Sequence, residues 1–113
     1  MMTEGWRELR LMRLAIDPEV RKVLHATASA PLTVPTIADE LEMGESRAYR
    51  LVRKMTRGGM LRRLTTNGSK AATYAPNVRA IDLCLGSDGL GIVVEYQDGQ
   101  KITSRYAQSP LPH

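Results

Sequence analysis

The chain has 113 residues and a mass of 12.5 kDa, enough for one hydrophobic core and too short for two. Hydrophobic residues are 42% and charged residues 25%, as in globular chains, and no apolar run approaches the ~20 residues that span a bilayer. Charged Glu4, Arg7, Glu8, Arg10 and Arg13 interrupt any leader pattern, and the single Cys84 excludes an internal disulfide or a multi-cysteine metal site, so the expected setting is a reducing cytoplasm.

Sixteen Lys and Arg against twelve Asp and Glu leave +4. The excess is focused. Residues 1–29 carry net +1, residues 30–79 net +5 and residues 80–113 net −2. Between 45 and 70, Arg47, Arg50, Arg53, Lys54, Arg57, Arg62, Arg63 and Lys70 face only Glu45, a local +7. Such a patch predicts a binding face for an acidic partner.

Trp6, Leu9, Met12 and Ile16 recur at spacings of three and four, which predicts an amphipathic helix over 6–16. Asp17-Pro18-Glu19 is a helix start: an N-cap, a proline at the first position and an acid in the first turn. Val20, Val23, Leu24 and Thr27/Ala28 line one face, and Ala30-Pro31 ends the helix. Thr33 caps the next, with Pro35 in its first turn, Ile37, Ala38 and Leu41 inward, and Asp39 and Glu40 outward. Glu42-Met43-Gly44 is a tight turn marked by its glycine. Glu45 to Arg57 forms the third helix of this group on the stripe Ala48, Leu51, Val52 and Met55, and Gly58-Gly59 stops it.

The period then changes. Met60–Thr66 and Ala71–Ala75 flank Asn67-Gly68, a hairpin signal. Pro76 closes that block. Alternating runs at Ile81–Leu85, Leu90–Tyr96 and Lys101–Tyr106, with glycine turns between them, predict three antiparallel strands. For the last pair, a three-residue loop with Gly99 left-handed sets Ile102 opposite Val94 and Tyr106 opposite Leu90, keeping one apolar face. Residues 107–113 read as a loose tail. Cys84, inside an alternating strand, reads as a small buried hydrophobe.

Three helices and a hairpin predict an α+β chain: a winged helix-turn-helix over 17–79, an N-terminal helix over 1–16, and a C-terminal β-meander over 80–106. The stretch Thr36-Ile37-Ala38-Asp39-Glu40-Leu41-Glu42-Met43-Gly44-Glu45-Ser46 through Gly58-Gly59-Met60-Leu61 resembles the ArsR/MarR-type regulators. Ala38, Leu41, Met43, Ser46, Gly59, Met60 and Leu61 fall on that pattern, and Glu42 stands where the turn is commonly glycine. The resemblance implies that 45–57 is a DNA recognition helix.

The residues give the same face. Arg47, Arg50, Lys54 and Arg57 share one side at helical spacing, with Arg53 beside them. Ser46, Arg47, Tyr49 and Arg50 are the candidate base contacts, because arginine forks read guanine and the helix start reaches base edges. Arg53, Lys54 and Arg57 are candidate phosphate contacts. Arg62, Arg63, Thr65, Thr66, Asn67, Ser69 and Lys70 make the hairpin a polar, basic wing suited to the minor groove or its phosphates.

The expected function is therefore sequence-specific binding of double-stranded DNA as a homodimeric transcriptional regulator. Its dimer surface is sought around Trp6, Leu9, Met12 and Ile16, or on the sheet at Ile92, Val94 and Tyr96. The rivals are a protein-interaction winged helix meeting an acidic partner, and a ligand-responsive regulator with a pocket at the C-terminal sheet. His25, His113 and Cys84 make no convincing metal set, no cofactor or membrane partner is expected, and no nucleophile, base and acid group as in an enzyme.

Overall fold

The computed structural model describes residues 10–65, 71–87 and 89–107. Helix α1 occupies residues 10–16 there, followed by α2 Pro18–Thr27, α3 Val34–Leu41 and α4 Glu45–Arg57. The strands are β1 Leu61–Leu64, β2 Thr73–Pro76, β3 Val78–Gly86, β4 Gly89–Tyr96 and β5 Lys101–Ala107. The chain is thus α+β, with four helices and two small antiparallel sheets, β1-β2 and β3-β4-β5, among the described residues.

The helix starts follow from their caps. The Asp17 carboxylate accepts from the Glu19 N–H at 2.9 Å, and the Thr33 hydroxyl accepts from the Thr36 N–H at 3.3 Å, each satisfying a donor that the first helical turn leaves unpaired. Helix α2 ends at Thr27, before Ala30-Pro31. Thr27 is the one buried polar residue of the core among those described, and its hydroxyl donates back to the Val23 carbonyl at 2.9 Å. Ala28 is exposed, so the α2 stripe is Val20, Val23 and Thr27, with Leu24 half-buried.

The turn before α4 falls at Glu42-Met43-Gly44, as its sequence suggests. Its left-handed residue is Glu42 (φ 55°), which caps α3, while Gly44 (φ −64°) is the extended N-cap of α4. Glutamate therefore adopts the backbone that a glycine would take here. At the other end of α4 the two glycines divide their work. Gly58 is helical (φ −81°), and Gly59 (φ 81°) is the left-handed residue. The Met60 N–H donates to the Met55 carbonyl at 2.8 Å and the Gly59 N–H to Thr56 at 3.1 Å, the paired bonds of a Schellman end.

The first ladder pairs Leu61 with Pro76 and Leu64 with Thr73. A two-residue Asn67-Gly68 loop would instead set Leu64 opposite Ala71, so the strands are shorter and shifted from the sequence expectation; residues 66–70 lie outside the described residues. Leu32 adds a bridge to the far side of β2, its N–H and carbonyl bonding Tyr74 at 3.0 and 2.8 Å.

The second sheet carries the predicted register: Val94 faces Ile102 and Leu90 faces Tyr106. Gly99 is left-handed. Strand β3 begins at Val78, three residues earlier than the alternation suggested, because a bulge between Val78 and Ala80 interrupts its period. Ala107 closes β5, and residues 108–113 lie outside the described residues. Asn77 joins the sheets to α4: its amide donates to the Gly59 carbonyl at 3.0 Å, its N–H to Met60 at 2.8 Å, and its carbonyl accepts from Gln97 at 3.0 Å.

One core runs through both halves. Leu14, Val20, Val23, Ile37, Val52, Met55, Met60, Leu61, Ile92 and Val94 belong to it, all essentially without solvent contact. Burial on α1 falls on Leu11, Met12, Leu14 and Ala15, and Ile16 is 47% exposed, so the stripe is rotated from the Met12/Ile16 reading; Trp6 and Leu9 lie outside the described residues. Ile92 and Val94 are consumed by this core and are not available as a dimer surface. Cys84 is exposed, not buried: it occupies the far end of β3, where Leu83 and Leu85 (86% exposed) also run beyond the core. Among the described residues no helix is long and apolar enough to cross a membrane.

Candidate nucleic-acid interface

Helix α4 supplies the site because its apolar residues recur at three and four. Ala48, Leu51, Val52 and Met55 face inward and are buried. The same period turns Ser46, Arg47, Tyr49, Arg50, Arg53, Lys54 and Arg57 outward, and all seven are exposed. Lys54 and Arg57 occupy the last turn, where the helix dipole favours cations, and Glu45 the first, where it favours an acid.

The exposed cations separate into two groups. Arg50, Arg53, Lys54 and Arg57 line one shallow depression, joined there by Arg10 from α1. Arg53, which the sequence placed beside the basic stripe, is within it. Arg47 is not. Its Nη2 donates to the Glu19 Oε2 at 2.6 Å, tying the start of α4 to the start of α2. Both side chains are solvent-accessible, so this pair is screened and contributes little to stability, but it gives Arg47 a fixed partner inside the chain.

The hairpin arginines also diverge. Arg62 lines a groove between α2 and the two sheets, together with Arg21, His25 and Arg79. Successive strand residues point to opposite faces, so Arg63 projects from the other side of β1. Thr65 is exposed, while Thr66, Asn67, Ser69 and Lys70 lie outside the described residues. Arg79 is engaged by the Glu95 carboxylate at 3.4 Å and the Gln97 carbonyl at 3.3 Å.

Sequence reasoning missed Arg10 as a member of the α4 face. Nothing in the local pattern of 6–16 tells where α1 docks. Among the described residues no three His, Cys, Asp or Glu side chains gather as a metal site, and His25 is exposed on α2. What the arrangement offers chemically is guanidinium and ammonium donors on a convex helix, without an ion-pair partner among the described residues and without a carboxylate among those lining the depression. The chain matches no family model, no curated protein and no solved structure.

Proposed function

We propose that the chain is a winged helix-turn-helix regulator of transcription similar to the ArsR/MarR type, binding double-stranded DNA with α4 in the major groove and β1-β2 as its wing. The observation that carries this reading is the row Arg50, Arg53, Lys54 and Arg57, exposed on α4 without an ion-pair partner among the described residues. Free cations along one helix neutralise phosphates and release counterions, which supplies sequence-independent affinity. Tyr49 and Arg50, nearer the helix start, are the base readers in this reading. Arg47, held by Glu19, becomes a reader only by exchanging that carboxylate for a base edge or phosphate. The Leu32–Tyr74 bridge ties this wing, through β2, to the segment between α2 and α3. The regulator acts as a cytoplasmic homodimer, because a single module covers little DNA and a second half-site supplies specificity.

Fluorescence anisotropy with random-sequence duplex DNA tests this. Binding at low salt that falls steeply with added salt is expected. Absence of binding at low salt overturns the reading in favour of a protein-interaction module. Recovery of bound genomic fragments then gives the operator, and two half-sites about one helical turn apart are the expected signature of the dimer.

A further inference from the structure

Helix α1 has a sequence pattern that marks it as a packing helix, yet it delivers a charge to the face of α4. Leu11, Leu14 and Ala15 are buried in the core, and Leu14 lies against Gly58 at the end of α4. Arg10, one turn before Leu14, is thereby brought to the depression lined by Arg50, Arg53, Lys54 and Arg57. The ion pairs among the described residues are Arg47–Glu19 and Arg79–Glu95, so these five cations are not neutralised within the described chain. Like charges brought together repel, and it is the burial of the apolar side of α1 that keeps Arg10 in this company.

A ligand that relieves the repulsion must carry several negative charges and meet an open surface. Four of the five cations are arginines, whose planar forks match phosphate oxygens in pairs. A shallow depression suits a backbone laid across it, whereas small organic ligands are usually enclosed in concave, largely apolar pockets.

We infer that Arg10, together with Arg53, Lys54 and Arg57, makes this depression a seat for phosphate groups of the nucleic-acid backbone beside the base reader Arg50, so that α1 belongs to the DNA-binding surface. The inference rests on the DNA-binding reading above and extends it beyond the helix-turn-helix. Arg10 positions the duplex without reading sequence, as phosphate contacts do.

The test is the slope of log affinity against log salt for duplex DNA. Arg10→Ala is expected to flatten it by about one, equally for operator and random sequences. Lys22→Ala removes the same charge from the separate groove between α2 and α3, and its slope is expected to stay at the wild-type value. A wild-type slope for Arg10→Ala overturns the inference and leaves the DNA reading intact. If the wild-type chain binds no duplex, the DNA reading fails by itself, and inorganic tripolyphosphate decides the seat. Amide shifts around Arg57 that need severalfold more tripolyphosphate in Arg10→Ala retain a phosphate site for free polyphosphate; absence of such shifts overturns the site as well.

Discussion

Leu14 occupies the space that a side chain at Gly58 would need. A Cβ built on Gly58 overlaps Leu14 Cδ1, and Leu14 is almost wholly buried. Gly58 has a negative φ in the right-handed region (φ −81°, ψ 0°), so its backbone does not require glycine. The close approach of α1 does, and that approach sets the position of Arg10 beside α4.

Gly58→Ala is therefore expected to destabilise the fold by about 1–3 kcal/mol, the usual penalty for overpacking a filled core. Leu14→Ala alone costs about 2–5 kcal/mol through its cavity. The double variant should lose less than the sum, because the smaller residue 14 makes room for the new methyl group. Urea unfolding of the four chains measures this; strict additivity would show that the two residues do not share the space.

Glu42 holds a left-handed backbone (φ 55°, ψ 48°) that disfavours side chains with a Cβ by roughly 1–2 kcal/mol. Glu42→Gly should stabilise the chain by up to about 1 kcal/mol, since glycine's larger unfolded-state entropy offsets part of the relief. A rise in the urea midpoint at unchanged m is the expected result. A fall would mean that the Glu42 side chain makes a stabilising contact that outweighs its backbone strain.

Much of this arrangement was legible in the residues because it depends on local periodicity. The stripe Ala48, Leu51, Val52 and Met55 gave both the limits and the face of α4, and the alternation in Leu90–Tyr96 with a left-handed Gly99 gave the β4–β5 register. What escaped depends on contacts between distant segments. The Arg47–Glu19 pair spans 28 positions, and the joining of Arg10 to α4 depends on how α1 docks. Leu32 pairs with Tyr74 as a single bridge, too short to leave a strand pattern. Cys84 was misread because it lies with Asp82 on the face opposite Ile81, Leu83 and Leu85, and even on the apolar face alternation does not say how far the core extends beneath it.

That last point separates Ile92 from Leu85, which share the apolar side of the second sheet through the Leu83↔Ile92 and Leu85↔Leu90 pairings. Ile92→Ala should cost about 2–5 kcal/mol, as for a fully buried aliphatic residue. Leu85→Ala should change stability by less than about 0.5 kcal/mol, because Leu85 is 86% exposed. Thermal unfolding of both variants checks the limit of the core, and comparable losses would place that limit beyond Leu85.

Arg50 distinguishes base reading from charge alone. If it reads a base, Arg50→Ala weakens operator binding by about 1–3 kcal/mol and reduces discrimination against random DNA. Equal weakening on both duplexes would make Arg50 a phosphate contact, leaving base reading to Tyr49 and Ser46. Unchanged affinity on both would remove α4 as the recognition helix.

Glu19→Gln should act in the opposite direction to Arg10→Ala. The substitution removes the carboxylate charge that engages Arg47 and leaves a neutral amide of similar size. The pair is solvent-accessible, so stability should fall by no more than about 1 kcal/mol. Affinity for random duplex DNA should rise, and the salt slope should steepen by up to about one, as Arg47 becomes free for a phosphate and a repelling acid is lost. Most of the gain should vanish in Glu19→Gln combined with Arg47→Ala, since Arg47 is then no longer present to be released and only the lost acid remains. An equal gain with and without Arg47 would assign the effect to the removed negative charge alone, and the Glu19–Arg47 contact would then hold nothing back from the DNA.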